Sequence, residues 1–140
     1  MKLAFKRPLM AAAVGAAAFG LVATVGTGPA AASGLATVTW WNTWSGATFG
    51  GGNGTLEPLG EKLWAEDLQP DGWGTRAQLQ YKGSDGAWHN TGGVCFDDTS
   101  TTGATLCDRS VAEGTSVRVH IWASNDGATR AGNYSNVVDA

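Results

Sequence analysis

Ser116-Val117-Arg118-Val119-His120-Ile121-Trp122-Ala123 decides how this chain is read, because Val117, Val119, Ile121 and Ala123 alternate with Ser116, Arg118, His120 and Trp122. A two-residue period belongs to a strand with one face turned to a core. Ser124-Asn125-Asp126-Gly127 follows, rich in residues that tolerate the backbone angles of a turn, and Tyr134-Ser135-Asn136-Val137-Val138 returns. The block from Val111 to Val138 therefore predicts a β-hairpin.

Working outward from that block, Thr75 to Lys82 predicts a second strand, with Ala77, Leu79 and Tyr81 inward and Arg76, Gln78 and Gln80 outward. It follows the Pro70-Asp71-Gly72-Trp73-Gly74 turn and leaves through Ser84-Asp85-Gly86 into a short edge at Ala87-Trp88-His89-Asn90. Val94-Cys95-Phe96 and Ala104-Thr105-Leu106-Cys107 read as brief strands around a Thr/Ser/Gly loop. Gly60 to Leu68 reads as a strand with Leu63 and Ala65 on the face of Glu61 and Asp67, while Trp64 and Leu68 share the other with Lys62 and Glu66. No stretch after residue 32 keeps a helical period over about ten residues. Short strands at roughly 8 to 12 residue intervals, with turn signals between them, predict an all-β sandwich of about seven strands.

Residues 1–32 are read as a secretory signal rather than as part of the fold. Lys2, Lys6 and Arg7 make a positive start, Leu9 to Val25 is an Ala/Gly/Val-rich apolar run, and Pro29-Ala30-Ala31-Ala32-Ser33 supplies a small-residue cleavage pattern. The run is too short and too glycine-diluted for the roughly 20 apolar residues of a membrane span, so the expectation is an exported, extracellular chain of about 108 residues with no membrane anchor. Six basic residues then face twelve acidic ones, a formal charge of about −6. With no basic run and no aromatic-basic interleaving along the chain, nucleic acid and anionic membrane are not expected partners.

Cys95 and Cys107 are the two cysteines of the chain. In an exported protein such a pair predicts a disulfide, worth about 3 kcal/mol for a loop of roughly a dozen residues. The spacing is far from Cys-x-x-Cys, and Asp97, Asp98 and Asp108 would raise a thiol pKa, which argues against redox activity.

The segment from Ser33 to Gly54 is unusual. Thr37-Val38-Thr39-Trp40-Trp41-Asn42-Thr43-Trp44 is β-prone and aromatic, and runs into Phe49-Gly50-Gly51-Gly52-Asn53-Gly54. Two readings stand: a first strand that buries the indoles in the domain, or an arm of residues 33–54, hinged on the glycines, that docks Trp40, Trp41 and Trp44 into a partner protein. In the second, the sandwich proper is residues 55–140.

Catalysis finds little support. The chain has two histidines, His89 and His120, and no Gly-x-Ser-x-Gly elbow. Two distant histidines and a bridged cysteine pair do not make a zinc site, and no cofactor is expected. Glu66-Asp67 point to opposite faces of a strand, and Asp97-Asp98 lie in the disulfide loop, so neither makes an acid/base pair by itself. Asp67 and Asp71-Gly72 lack the alternating ligands of a calcium loop and fit an Asx turn. Binding is better supported, since seven tryptophans of about 150–250 Å² each exceed what a small core hides. Arg118, His120 and Trp122 share one strand face, and Trp73 sits at a turn tip. These four are candidates for stacking on a ligand, and Trp122, Trp73 and Trp88 would form the stacking platform of a carbohydrate-binding module.

Two resemblances add to this. Leu106 to Val119, then Ala123-Ser124-Asn125-Asp126-Gly127 and Tyr134-Ser135-Asn136-Val137-Val138, resemble the last three strands of a fibronectin type III domain, and Thr75 to Trp88 its third strand and neighbour. This implies an immunoglobulin/fibronectin type III-like sandwich. The layout of signal peptide, Asp67 with Asp71-Gly72, late two-Cys loop and Glu113-Gly114-Thr115 before an alternating strand is similar to that of small exported bacterial proteins. Some of these are adaptor subunits of umbrella toxin particles, which implies a non-catalytic adaptor joining a lectin-bearing subunit to a large toxin subunit. A carbohydrate-binding module is the alternative.

Overall fold

The computed structural model of the chain describes residues 34–44, 47–100 and 103–140, so the expected signal at 1–32 lies outside the described residues. Nine strands run through them: β1 (Ala36–Trp44), β2 (Ala47–Glu57), β3 (Lys62–Asp67), β4 (Gly74–Lys82), β5 (Trp88–Asp97), β6 (Thr105–Asp108), β7 (Ser116–Asn125), β8 (Ala128–Tyr134) and β9 (Val138–Asp139). They form two antiparallel sheets, ordered β1-β2-β3-β6 and β5-β4-β7-β8, and β9 extends the β8 edge by pairing with Ser116 and Val117. The alternating inward residues meet between them. Ala36, Val38, Trp40, Leu56, Leu63 and Ala65 come from the first sheet, and Ala77, Leu79, Cys95, Val117, Val119, Ile121, Ala123 and Val138 from the second.

The result is an all-β sandwich of immunoglobulin type. Counted from β2, strands β2, β3 and β6 take the A, B and E places of one sheet, and β4, β7 and β8 the C, F and G places of the other, with β5 beside β4 as C′. β1 is an extra strand outside β2, and β9 a continuation, which is why the described residues hold nine strands where about seven were expected.

The alternation of β7 is as predicted, with Val117, Val119, Ile121 and Ala123 all buried. The hairpin is tighter than the sequence suggested. Asn125 pairs with Ala128 across Asp126 (φ 41°) and Gly127 (φ 87°), a two-residue turn with both central residues in the left-handed region, so the return begins at Ala128 rather than Tyr134. β5 also differs, since it runs unbroken from Trp88 to Asp97 instead of as two short pieces. Opposite it, the β4 register shifts between Ala77 and Leu79, and Gln78 is buried rather than outward. Its Nε2 donates to the carbonyls of Thr91 at 2.7 Å and Gly92 at 3.3 Å, filling the irregularity in the ladder.

The N-terminal segment corrects the docking-arm reading. β1 and β2 form a hairpin within the first sheet, with Trp40 opposite Gly52, so the glycine stretch is strand and the proposed boundary between 54 and 55 falls inside β2. The glycines make room for an indole. A Cβ on Gly51 would collide with the ring carbons of Trp40, and one on Gly52 would lie 2.6 Å from its Nε1. Trp40 is 1 % exposed, and Nε1 donates to Thr75 Oγ1 of the facing sheet at 2.9 Å. It is a core residue. Trp41, past a register shift, is 59 % exposed, and Trp44 ends β1.

Both open sides of the sandwich are closed. Cys95 on β5 and Cys107 on β6 form the expected disulfide, Cα to Cα 5.9 Å, joining the edge strand of one sheet to that of the other. On the opposite side Asn133 Nδ2 donates to Thr39 O at 3.1 Å, and Asn136 bridges Leu35 O and Thr37 N of β1. Side-chain amides thus occupy backbone groups of the β1 edge.

Candidate functional site

The outer face of β5-β4-β7-β8 gathers most of the residues singled out for binding. The β7 alternation sends Arg118, His120 and Trp122 outward, and register sets Gln80 against Arg118, Arg76 against Trp122 and Tyr134 against His120. Trp88 reaches in from β5, paired with Lys82.

These side chains stand as one continuous stack. The Arg118 guanidinium lies 4.2 Å from the Trp88 ring centroid and 4.1 Å from that of Tyr134, so a ring covers it from each residue. Tyr134 stacks on His120 at 4.5 Å and 16°, and His120 on Trp122 at 4.9 Å and 30°. Each contact is worth about 0.5–1.5 kcal/mol, which orders long side chains before any ligand arrives. Arg118 Nε donates to Gln80 Oε1 at 2.9 Å, fixing the plane of the fork. Burial, and then the Arg118 charge, hold the His120 pKa below the ordinary imidazole value, which keeps the ring neutral at neutral pH.

The same device recurs twice. Arg76 lies 4.2 Å over Phe96 with Nε donating to Ser124 Oγ at 2.6 Å. Arg130 lies 3.9 Å over Trp73 and 3.8 Å from an Asp71 carboxylate oxygen. Trp73 is therefore not an open ring at a turn tip: it is capped by Arg130 and packed against the core. His120, Trp122, Thr129, Arg130 and Gly132 line an open concavity of about 380 Å³.

Charge is segregated between the sheets. β4, β5, β7 and β8 carry Arg76, Lys82, Arg118 and Arg130 against a single acid, Asp97, which is 1 % exposed. β1, β2, β3 and β6 carry Lys62 against Glu57, Glu66, Asp67 and Asp108. Among the described residues no carboxylate lies within ion-pair distance of Arg76 or Arg118. Aromatic-basic interleaving, absent along the chain, exists across the strands.

The other candidates are structural in their surroundings. Asp97 accepts from Asp67 N, Thr99 Oγ1 and Thr105 Oγ1 at 2.7–2.9 Å. Asp67 accepts from Gln69 N and Ser100 N, and burial is the main cause that raises its pKa. Asp71 Oδ1 accepts from Trp73 N at 2.9 Å, the expected Asx turn. His89 pairs with Asp85 at 3.0 Å and stacks on Tyr81. Among the described residues no group of three or more His, Cys, Asp or Glu is placed to hold a metal ion, and no helix is long and apolar enough to cross a membrane.

Sequence reasoning brought Arg118, His120, Trp122 and Trp88 to one surface but missed Tyr134, Arg76 and Arg130. Tyr134 was visible as a β-prone residue, and only the register of the β7–β8 hairpin makes it the centre of the stack. Set against known proteins, the chain matches no family model, no curated protein and no solved structure.

Proposed function

We propose that the protein is an exported, non-catalytic adaptor that binds another protein through the outer face of β5-β4-β7-β8. One observation carries this: Arg118 is clamped between Trp88 and Tyr134, with His120 and Trp122 continuing the stack. Trp, Tyr and Arg are the residues that dominate protein–protein hot spots, and a pre-ordered cluster loses less entropy on binding. The disulfide and the leader-like N-terminus support export. The assembly suggested by the sequence resemblance is a secreted toxin particle, with a lectin-bearing subunit and a large toxin subunit as partners. The face, not residues 33–54, is the docking element in this proposal.

A carbohydrate-binding module remains the second reading, favoured by the concavity beside Trp122 and His120. Against it, the interior rings of the stack cover one another and offer no bare face to a pyranose. The test is capture from culture supernatant with wild-type protein and with an Arg118→Ala/Trp122→Ala variant of unchanged fold by circular dichroism. Specific protein retained by the wild type and lost by the variant supports the adaptor. Equal capture by both overturns docking through this face, and retention on a glycan panel without any protein partner supports the carbohydrate reading.

A further inference from the structure

We infer that this face receives an extended acidic peptide segment whose two carboxylates are four residues apart; this rests on the protein-binding reading above and names the partner's chemistry. Arg118 and Arg76 are the anchors. Arg76 pairs with Trp122, four residues beyond Arg118 on β7, so the backbone positions of the two arginines are offset by about 13 Å along the strand direction at roughly 3.3 Å per residue. An extended peptide sets side chains four residues apart on one face at the same spacing.

The two sites are built alike. In each, the guanidinium lies over an aromatic ring and Nε is spent on a neutral oxygen, Gln80 Oε1 or Ser124 Oγ. Among the described residues the Nη groups of neither make a hydrogen bond, and neither cation has a carboxylate partner. A planar fork held in this way matches a carboxylate by two parallel hydrogen bonds. His120 lies between the levels of the two anchors and Trp122 beside Arg76, and their uncharged surface suits three intervening residues without charge. The exposed strand residues of this sheet, β9 apart, are free of acids, whereas the chain as a whole is acidic, so an acidic segment is attracted to the strand surface; Asp98 and Asp126, in the turns that line one concavity with Arg76, confine it there. Single-stranded nucleic acid needs a row of bare ring faces for its bases, and the interior rings of this stack, Tyr134 and His120, are covered on both sides.

The probes are a synthetic nine-residue Ser/Thr peptide with Glu at positions 3 and 7, its Gln/Gln counterpart, a dodecameric oligo-dT and polygalacturonate. Each is titrated into the disulfide-intact protein, followed by the indole N–H signals of Trp88 and Trp122 in two-dimensional NMR. The Glu/Glu peptide is expected to shift both signals and to bind about tenfold or more tightly than Gln/Gln, with affinity falling as salt rises. Arg118→Gln and Arg76→Gln should each cost about tenfold, and Arg118→Lys, which keeps charge but loses the fork, most of that. Equal binding of the Glu and Gln peptides, or oligo-dT or polygalacturonate binding where the peptide does not, overturns the inference. If the peptide fails while supernatant capture still depends on Arg118 and Trp122, the acidic segment falls and the docking face stands. If capture ignores those residues, the docking reading itself has failed.

Discussion

Thr75 is 0 % exposed, and its hydroxyl oxygen accepts the indole N–H of Trp40 at 2.9 Å. No water reaches that bond. Thr75→Val keeps the shape and strands the donor, which should cost about 1–3 kcal/mol in urea unfolding. In a double-mutant cycle with Trp40→Phe, which removes the donor, the cost of Thr75→Val should fall by about 1 kcal/mol. A coupling near zero would mean that the hydroxyl contributes nothing through this bond. Gly50-Gly51-Gly52 has the composition of a hinge and equally that of a socket. What separates them is Trp40, twelve residues before Gly52 and directly across the hairpin, a fact of register that no local window contains.

At the scale of the element, the β1–β2 hairpin, the first of the two readings of this segment, makes the opposite prediction to a docking arm. Deleting residues 33–49 removes β1 and the start of β2, takes Ala36, Val38 and Trp40 from the core, and leaves Gly54 and Leu56 paired on the β3 side alone. The truncated chain should lose its cooperative thermal transition and bind a hydrophobic dye; a truncation that melts like the full chain would return the segment to the status of an arm. β7 was legible because its period runs through eight residues, Ser116 to Ala123, with one buried face. β5 was not, because Gly92-Gly93 and the shift opposite Gln78 interrupt the alternation, so one strand looked like two. Gln78 reads as outward by parity alone, and the shift that buries it is a property of the strand pair. The candidate site was half legible for a similar reason. Arg118, His120 and Trp122 share one strand and Trp88 stands out as an edge indole, whereas Tyr134, Arg76 and Phe96 join them from three others through register alone.

For the molecule as a whole, Cys95–Cys107 is the covalent tie between the two sheets, spanning 12 residues of sequence. Cys95→Ala/Cys107→Ala should lower stability by about 3 kcal/mol and the melting temperature by on the order of 10 °C or more, with the spectrum of the native sandwich retained below the transition. A melting curve unchanged by the double substitution would show that the Asn133 and Asn136 contacts at the other edge and the core suffice to hold the sheets together. The charges of the β5-β4-β7-β8 sheet have a further effect that no single contact describes. The cations of this sheet stand on its strands, while Asp71, Asp85, Asp98 and Asp126 stand in the turns at its ends, so the face presents a positive centre inside a negative border. A charged neighbour is thus sorted by where it lands, a negative group being held at the middle of the sheet and turned away from its ends.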